Sequence, residues 1–340
     1  MKTEIKNEFK IGSDSTDNGK INVLYIYDKY EWAIYKVGKL WLENNSVIEP
    51  TYKIYSELHE KNFAECDIVW FGYLELALMM KKTYDFKKCI ISIHDPLEFF
   101  PQVKNWKSKL SFFSKEGVIY LWKKNKKIKM LKKVALVVTA SLEMKKILAE
   151  HGITARYIPT MGDVPVIDPE KIKTEKCSAL SIFHEYPRKN TELLNELKEY
   201  CRKNIGINLA FKKNGEILLK NNYIKLLDSH EIYICTSFQE GGPIPAMEAM
   251  ARGAVVITTP VGQMPEIITS GESGFICKTK KEFIEALNLL SEDLNLLHKM
   301  RLKSREAILR KRNEQKIKND VSNLLKNYVL KHKKRASYIG

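Results

Sequence analysis

Residues 237–254 read S-F-Q-E-G-G-P-I-P-A-M-E-A-M-A-R-G-A, with two carboxylates, Glu240 and Glu248, on either side of a Gly-Gly-Pro turn. A carboxylate accepts two hydroxyls at once, so the vicinal diols of sugars suit it, at about 1.5–3 kcal/mol for each charge-assisted bond. The turn between them offers the opposite chemistry. Glycines let a ligand approach the backbone, and unpaired N–H groups at a helix start can hold phosphate oxygens or sugar hydroxyls. By spacing alone a plainer pair fits as well: Glu240 balancing a helix dipole and Glu248 a solvated helix residue.

Other polar groups stand at the ends of apolar runs. H-E-Y-P-R-K-N (184–190) offers His184, Arg188 and Lys189, and S-I-H-D-P-L-E (92–98) leaves His94 where Asp95 and Pro96 turn the chain. Arg188 and Lys189 read equally as solvated charges ahead of a helix, and His94 as a structural histidine. Six scattered cysteines show no C-x-x-C and no His at ligand spacing, which is the usage of reduced core thiols; no metal site is expected.

These residues need a frame that brings them to one edge. Short apolar runs at 21–27, 51–56, 66–72, 88–94, 134–140 and 155–160 alternate with amphipathic stretches such as 30–44. A second series follows at 177–183, 207–212, 231–237, 254–259 and 274–279, and from Lys280 to about Leu330 the chain reads as helix. Near-continuous apolar strands separated by helices predict parallel sheets covered on both faces. At 340 residues, two domains are the default. We expect a polar extension over 1–19, an N-terminal Rossmann-like domain over 20–163 and a proline-bearing linker over 164–176. A second Rossmann-like domain follows over 177–311, and a helix with a basic tail over 312–340 returns to the first. Ligands of such sheets lie beyond the carboxyl ends of the strands. Glu240, Gly241 and Gly242 fall there, between the run ending at Ser237 and a helix opened by Pro243 and closed by Gly253.

The stretch T-S-F-Q-E-G-G-P-I-P-A-M-E-A-M-A-R-G-A-V-V-I-T-T-P-V-G-Q-M-P-E-I-I-T-S-G-E-S-G-F resembles the signature of the retaining nucleotide-sugar glycosyltransferases of family 4. Those enzymes carry E-x7-E, an E-A-M-A-x-G helix end, a strand, G-x-x-x-E-I and a final G-x-x-G-F/L. The resemblance implies an α/β chain of the GT-B fold, two doubly wound domains facing a cleft. Carried over residue by residue, it implies that Glu240 contacts the transferred sugar and that the backbone from Gly241 through Gly242 and Pro243 to Ile244 lines the sugar and diphosphate. Glu248 would hold the ribose hydroxyls, and Gly262 would keep the next loop close to the donor. A-L-S-I-F-H-E-Y-P-R-K-N-T-E-L-L (179–194) is similar to the segment whose Arg and Lys clamp the diphosphate; Lys189 matches the Lys, His184 stands where the family has Arg, and Arg188 is an alternative second cation. His94 resembles the strand-end His that faces the donor sugar. The 207–237 stretch is shorter than the family's by a strand–helix unit, and Y-D-K-Y-E-W-A (27–33) replaces its glycine-rich first loop.

The implied reaction moves a sugar from a nucleotide-diphosphate donor to a hydroxyl of a glycan or lipid-linked acceptor, with retention, no cofactor and no metal at the reaction centre. A non-catalytic nucleotide-sugar binder, or a GT-B epimerase or hydrolase, would use the same residues. The net charge of +16 gathers in two patches. G-V-I-Y-L-W-K-K-N-K-K-I-K-M-L-K-K-V (117–134) has seven lysines among apolar residues, the character of a helix lying on an anionic membrane or of a core-packed helix with a solvated face. From Lys299 to the end, 14 Lys/Arg face three acids. Aromatics are not interleaved with these charges in any nucleic-acid-binding motif, so nucleic acid is not an expected partner. A polar N-terminus and the lack of a long apolar run place the expected enzyme in the cytoplasm, with peripheral membrane contact through 117–134.

Overall fold

The computed structural model of the chain describes residues 19–30, 33–80, 89–98, 124–183, 187–213 and 220–336. The chain divides into two units. The described parts of the first run to His94, from 124 to Thr160 and from Glu314 onward; those of the second are 95–98 and 161–313. Each is built on one parallel sheet.

In the first unit, β1 (Ile21–Tyr27), β2 (Ile48–Ile54), β3 (Ile68–Phe71), β4 (Cys89–Ile93), β5 (Leu136–Thr139) and β6 (Ala155–Tyr157) pair in the order β2-β1-β3-β4-β5-β6. β2 starts three residues earlier than its apolar run suggests and takes in Pro50. It lies at the sheet edge, where a proline without an N–H is tolerated. The helix Ala33–Leu42 buries Trp41 and Leu42 against the sheet. The helix Glu314–Ala336 buries Ile317, Val321 and Leu325 in the same core, and Ser322 Oγ accepts from Asn45 Nδ2 at 2.7 Å.

In the second unit, β7 (Ser178–Phe183), β8 (Asn208–Lys213), β9 (Ile232–Cys235), β10 (Val255–Thr258) and β11 (Gly274–Ile276) take the order β11-β10-β9-β7-β8, all parallel. Helices Ile244–Ala251 and Leu294–Lys311 cover one face with Ala246, Met250, Ala307 and Ile308; Thr191–Tyr200 and Lys280–Glu292 cover the other with Leu194, Leu197, Phe283 and Leu287. Burial on both faces is why these strands read as unbroken apolar runs. Between β8 and β9 the described residues form one helix, Lys220–Asp228. The helical reading beyond Lys280 resolves into three helices: Asp293 caps the second through its side chain, and Arg312 closes it. Residues 164–176 lie on this unit, with Val164, Ile167 and Ile172 buried and Ile167 N donating to Ala251 O at 2.9 Å.

Candidate active site

β7 and β9 are neighbours in the sheet although β8 separates them in sequence, so the chain order reverses between them. Loops leaving the carboxyl ends at such a reversal part and leave a crevice. Here they are tied together. Phe238 N donates to Arg188 O at 2.7 Å, and Thr236 Oγ1 to the carbonyls of Lys189 and Asn190 at 3.0 and 3.2 Å.

That tie brings three of the expected site residues into contact. Glu240 is only 5% exposed. Its Oε1 accepts from Lys189 Nζ at 2.5 Å and from Ser237 Oγ at 2.7 Å, and its Oε2 lies 3.7 Å from Arg188 Nη1. Arg188 Nη1 also donates to Asp95 Oδ2 at 2.6 Å, while its Nε is buried and finds no hydrogen-bond acceptor among the described residues. Arg188 and Lys189 are therefore not solvated charges. Cations expected at the phosphates and a carboxylate expected at the sugar share one location.

The turn follows directly. Pro243 sits at the N-cap and Pro245 in the first turn, so neither supplies an N–H. Among the described residues, the amides of Gly241, Gly242 and Ile244 donate to no backbone or side-chain acceptor, leaving three donors in the run of four residues from Gly241 to Ile244. Gly262 adopts φ +51°, and a Cβ there would stand 2.6 Å from Gly241 O and 2.8 Å from Glu240 O. The loop after β10 thus rests on the turn itself. Thr259 Oγ1 donates to Ser237 O at 2.5 Å, and fully buried Gln263 lies against Gly242 while accepting from Arg312 Nε at 3.1 Å.

Glu248 is not a solvated helix residue: it too is 5% exposed. Its Oε1 accepts from Asp163 N at 2.9 Å and its Oε2 from the Tyr223 hydroxyl at 2.5 Å. Burial first, and then the Glu248 charge, push the Tyr223 phenol upward, so it stays protonated and donates.

His94 belongs to the first unit. Its Nε2 stands 3.0 Å from Gly72 O, which can only accept, so that nitrogen carries the proton and Nδ1 is the acceptor. The ring stacks on Trp41 at 5.7 Å, and Trp41 stacks on Trp70 at 5.4 Å. Burial lowers the imidazole from 6.5 to about 4, against the Gly72 bond. Protonating His94 is thus harder in the folded chain. Its contribution to stability is complete above pH 6.5 and is lost as pH falls towards 4, by up to about 3 kcal/mol. We expect His94→Gln to flatten that limb of the stability–pH curve measured by urea unfolding; an unchanged slope would show that another group sets it.

His184 lies outside the described residues, as do 117–123 of the lysine-rich stretch. Within 124–131, which is helical, Met130 and Leu131 are buried while Lys126 and Lys129 are exposed. Among the described residues no helix is long and apolar enough to cross a membrane. Ser237 and Gln263 lie inside the glutamate motif without being singled out by it, and Tyr223 carries no sequence signal at all.

Residues 196–307 match the family model described as "Glycosyl transferases group 1". A stretch of 79 residues is 30% identical to the N,N'-diacetylbacillosaminyl-diphospho-undecaprenol alpha-1,3-N-acetylgalactosaminyltransferase of Campylobacter jejuni, covering 23% of this chain and 21% of that protein. Among solved structures, Anabaena HepE in complex with UDP and glucose is similar with a TM-score of 0.64 at 12% identity, over 90% of this chain and 100% of that one. Sucrose-phosphate synthase from Thermosynechococcus elongatus gives 0.62 at 13% identity, over 91% and 99%. S. aureus TarM, in a complex containing UDP, gives 0.59 at 16%, over 75% of this chain and 55% of that chain. The chain therefore spans about a fifth of the curated relative and about half of TarM. The structural likenesses show the fold, which is GT-B: two Rossmann-like α/β units, each on a parallel sheet.

Proposed function

We propose that this chain is a retaining glycosyltransferase of family 4, moving a sugar from a nucleotide-diphosphate donor to a hydroxyl of a cell-surface glycan or lipid-linked precursor. The observation that carries the reading is Glu240. It is a buried carboxylate held by Lys189 and Ser237, beside a turn with three undonated amides, at the order reversal of a parallel sheet. It also falls inside the stretch that matches the group 1 model.

In this reading the amides of Gly241, Gly242 and Ile244 and the cation of Lys189 meet the diphosphate as the bond from the sugar C1 to its oxygen breaks and negative charge develops there. Lys189 has three N–H donors and can keep Glu240 while reaching a phosphate oxygen. The buried, unpaired Nε of Arg188 is the kind of donor that a bound anion satisfies. Glu240 takes sugar hydroxyls and Glu248 takes ribose hydroxyls. No step is assigned to a metal or cofactor. The name of the Campylobacter relative favours a lipid-linked acceptor. A cytoplasmic enzyme would meet such an acceptor at the membrane surface, where exposed Lys126 and Lys129 supply electrostatic rather than inserted contact.

The test is a thermal-shift screen of the full chain against UDP, GDP, ADP and CDP and their common sugar conjugates. A nucleotide at a hundred times its dissociation constant stabilises by about 2.7 kcal/mol, a rise of several degrees. We expect one base to stand out and its sugar conjugate to be consumed when acceptor lipid or glycan is supplied. A flat screen would sink the proposal, and binding without consumption would leave a non-catalytic binder.

A further inference from the structure

Taking the nucleotide-sugar reading as given, we propose that Tyr223 is a positioning residue that fixes the Glu248 carboxylate for the ribose of the donor. The geometry behind this is a brace from two sides. Oε2 of Glu248 is held by the Tyr223 hydroxyl at 2.5 Å and Oε1 by the Asp163 amide at 2.9 Å. The two donors come from different segments, the helix Lys220–Asp228 and the stretch just after Met161, and Lys220 Nζ joins those segments by reaching Asp163 Oδ1 at 3.1 Å. On the same flank Gly162 packs so closely that a Cβ would overlap Glu248 Cγ.

A buried tyrosine hydroxyl needs an acceptor, and any carbonyl would serve that need. Tyr223 instead takes one oxygen of a carboxylate whose other oxygen is already held by a backbone amide. With both oxygens held, the carboxylate plane cannot turn. Each ionised carboxylate oxygen has two acceptor positions, so accepting one brace does not by itself exhaust an oxygen's capacity for a hydroxyl. A vicinal diol is the ligand that fits a fixed pair of acceptors, and a ribose carries one.

The helix around Tyr223 supports a role beyond filling space. Ile224 and Leu226 pack with it against the core, so the apolar contacts of this helix do not depend on the hydroxyl. Removing only that oxygen, as in Tyr223→Phe, keeps the ring in place and frees Oε2 from its brace. Tyr223→Met is carried beside it, in case the bare phenyl ring disturbs folding.

The experiment measures, by titration calorimetry on the full chain, the affinities of UDP, GDP, ADP and CDP and of their 2′,3′-dideoxy forms. For the base that binds, the wild type is expected to prefer the ribose form by about tenfold or more, the worth of one charge-assisted hydrogen bond. In Tyr223→Phe and Tyr223→Met that preference is expected to fall below about threefold, while affinity for the dideoxy form stays within a factor of two. A purely structural tyrosine would weaken both forms alike or lower only the melting temperature, and that result overturns the proposal. A preference that rises in the variants also overturns it, because Tyr223 would then be competing with the ribose. The underlying reading fails separately, and visibly in the wild type, if no nucleoside diphosphate binds or if both sugar forms bind equally.

Discussion

Glu240→Gln is expected to lower donor turnover by two to three orders of magnitude while nucleoside diphosphate affinity holds or rises. Gln keeps the shape of Glu240 and loses its charge. In the resting site Lys189 spends one of its donors on Oε1 at 2.5 Å, and Arg188 Nη1 stands 3.7 Å from Oε2. Neutralising the carboxylate removes the competitor that a diphosphate must share these cations with, so binding of UDP or its equivalent does not suffer. The transferred sugar, however, loses its charged acceptor in a site where one well-placed electrostatic contact is worth about 3–4 kcal/mol in the transition state. Binding and turnover are therefore expected to move in opposite directions. Stability should fall modestly, by about 1–3 kcal/mol, because Lys189 is left partly buried without its counter-charge, while Arg188 keeps Asp95. Donor consumption, nucleotide affinity and thermal unfolding measured on one preparation separate these effects. Normal turnover in a folded Glu240→Gln chain would remove Glu240 from the mechanism.

The eleven described strands were readable because most are buried on both faces and leave an unbroken apolar run; the start of β2 was obscured by Pro50 at an edge, and β6 and β11 end three residues before their expected runs do. The break at Asp293 was hidden, since its capping role depends on geometry within a sequence that stays helix-like on either side. The chemistry of the site was readable in parts. Glu240 and Glu248 announced themselves through the motif, and Lys189 through its place after an apolar run. Their relations were not readable. Lys189 and Glu240 are 51 residues apart, and they meet only because β7 pairs with β9 across the reversal in strand order. The spacing of eight between the two glutamates fitted a dipole-balancing charge and a solvated helix residue as well; both are instead buried, Glu240 against Lys189 and Ser237, Glu248 against Tyr223 and Asp163. Tyr223 stayed invisible because one tyrosine on an amphipathic helix has no pattern, and its role exists only through a carboxylate 25 residues away.

The same dependence of the turn on its neighbours predicts the outcome at Gly262. Gly262→Ala is expected to cost about 2–4 kcal/mol of stability and to weaken nucleotide binding by at least about tenfold. Part of the cost is conformational, since φ +51° is strained for any residue with a Cβ, by about 1–2 kcal/mol. The larger consequence is contact. The added carbon would stand 2.6 Å from Gly241 O and 2.8 Å from Glu240 O, and those are backbone atoms that cannot rotate aside. The 240–242 turn must move, and with it the amides of Gly241 and Gly242 and the Glu240 side chain. Gly271 separates the two causes. It has φ +83° with nothing within 4 Å of where a Cβ would stand, so Gly271→Ala carries the conformational cost alone. We expect Gly271→Ala to lower the melting temperature slightly and to bind nucleotide as the wild type does, and Gly262→Ala to fall further on both measures. Equal losses of stability in the two variants, with nucleotide affinity intact in both, would mean that the loop after β10 does not hold the turn, and that the turn keeps its shape through Ser237 and Lys189 instead.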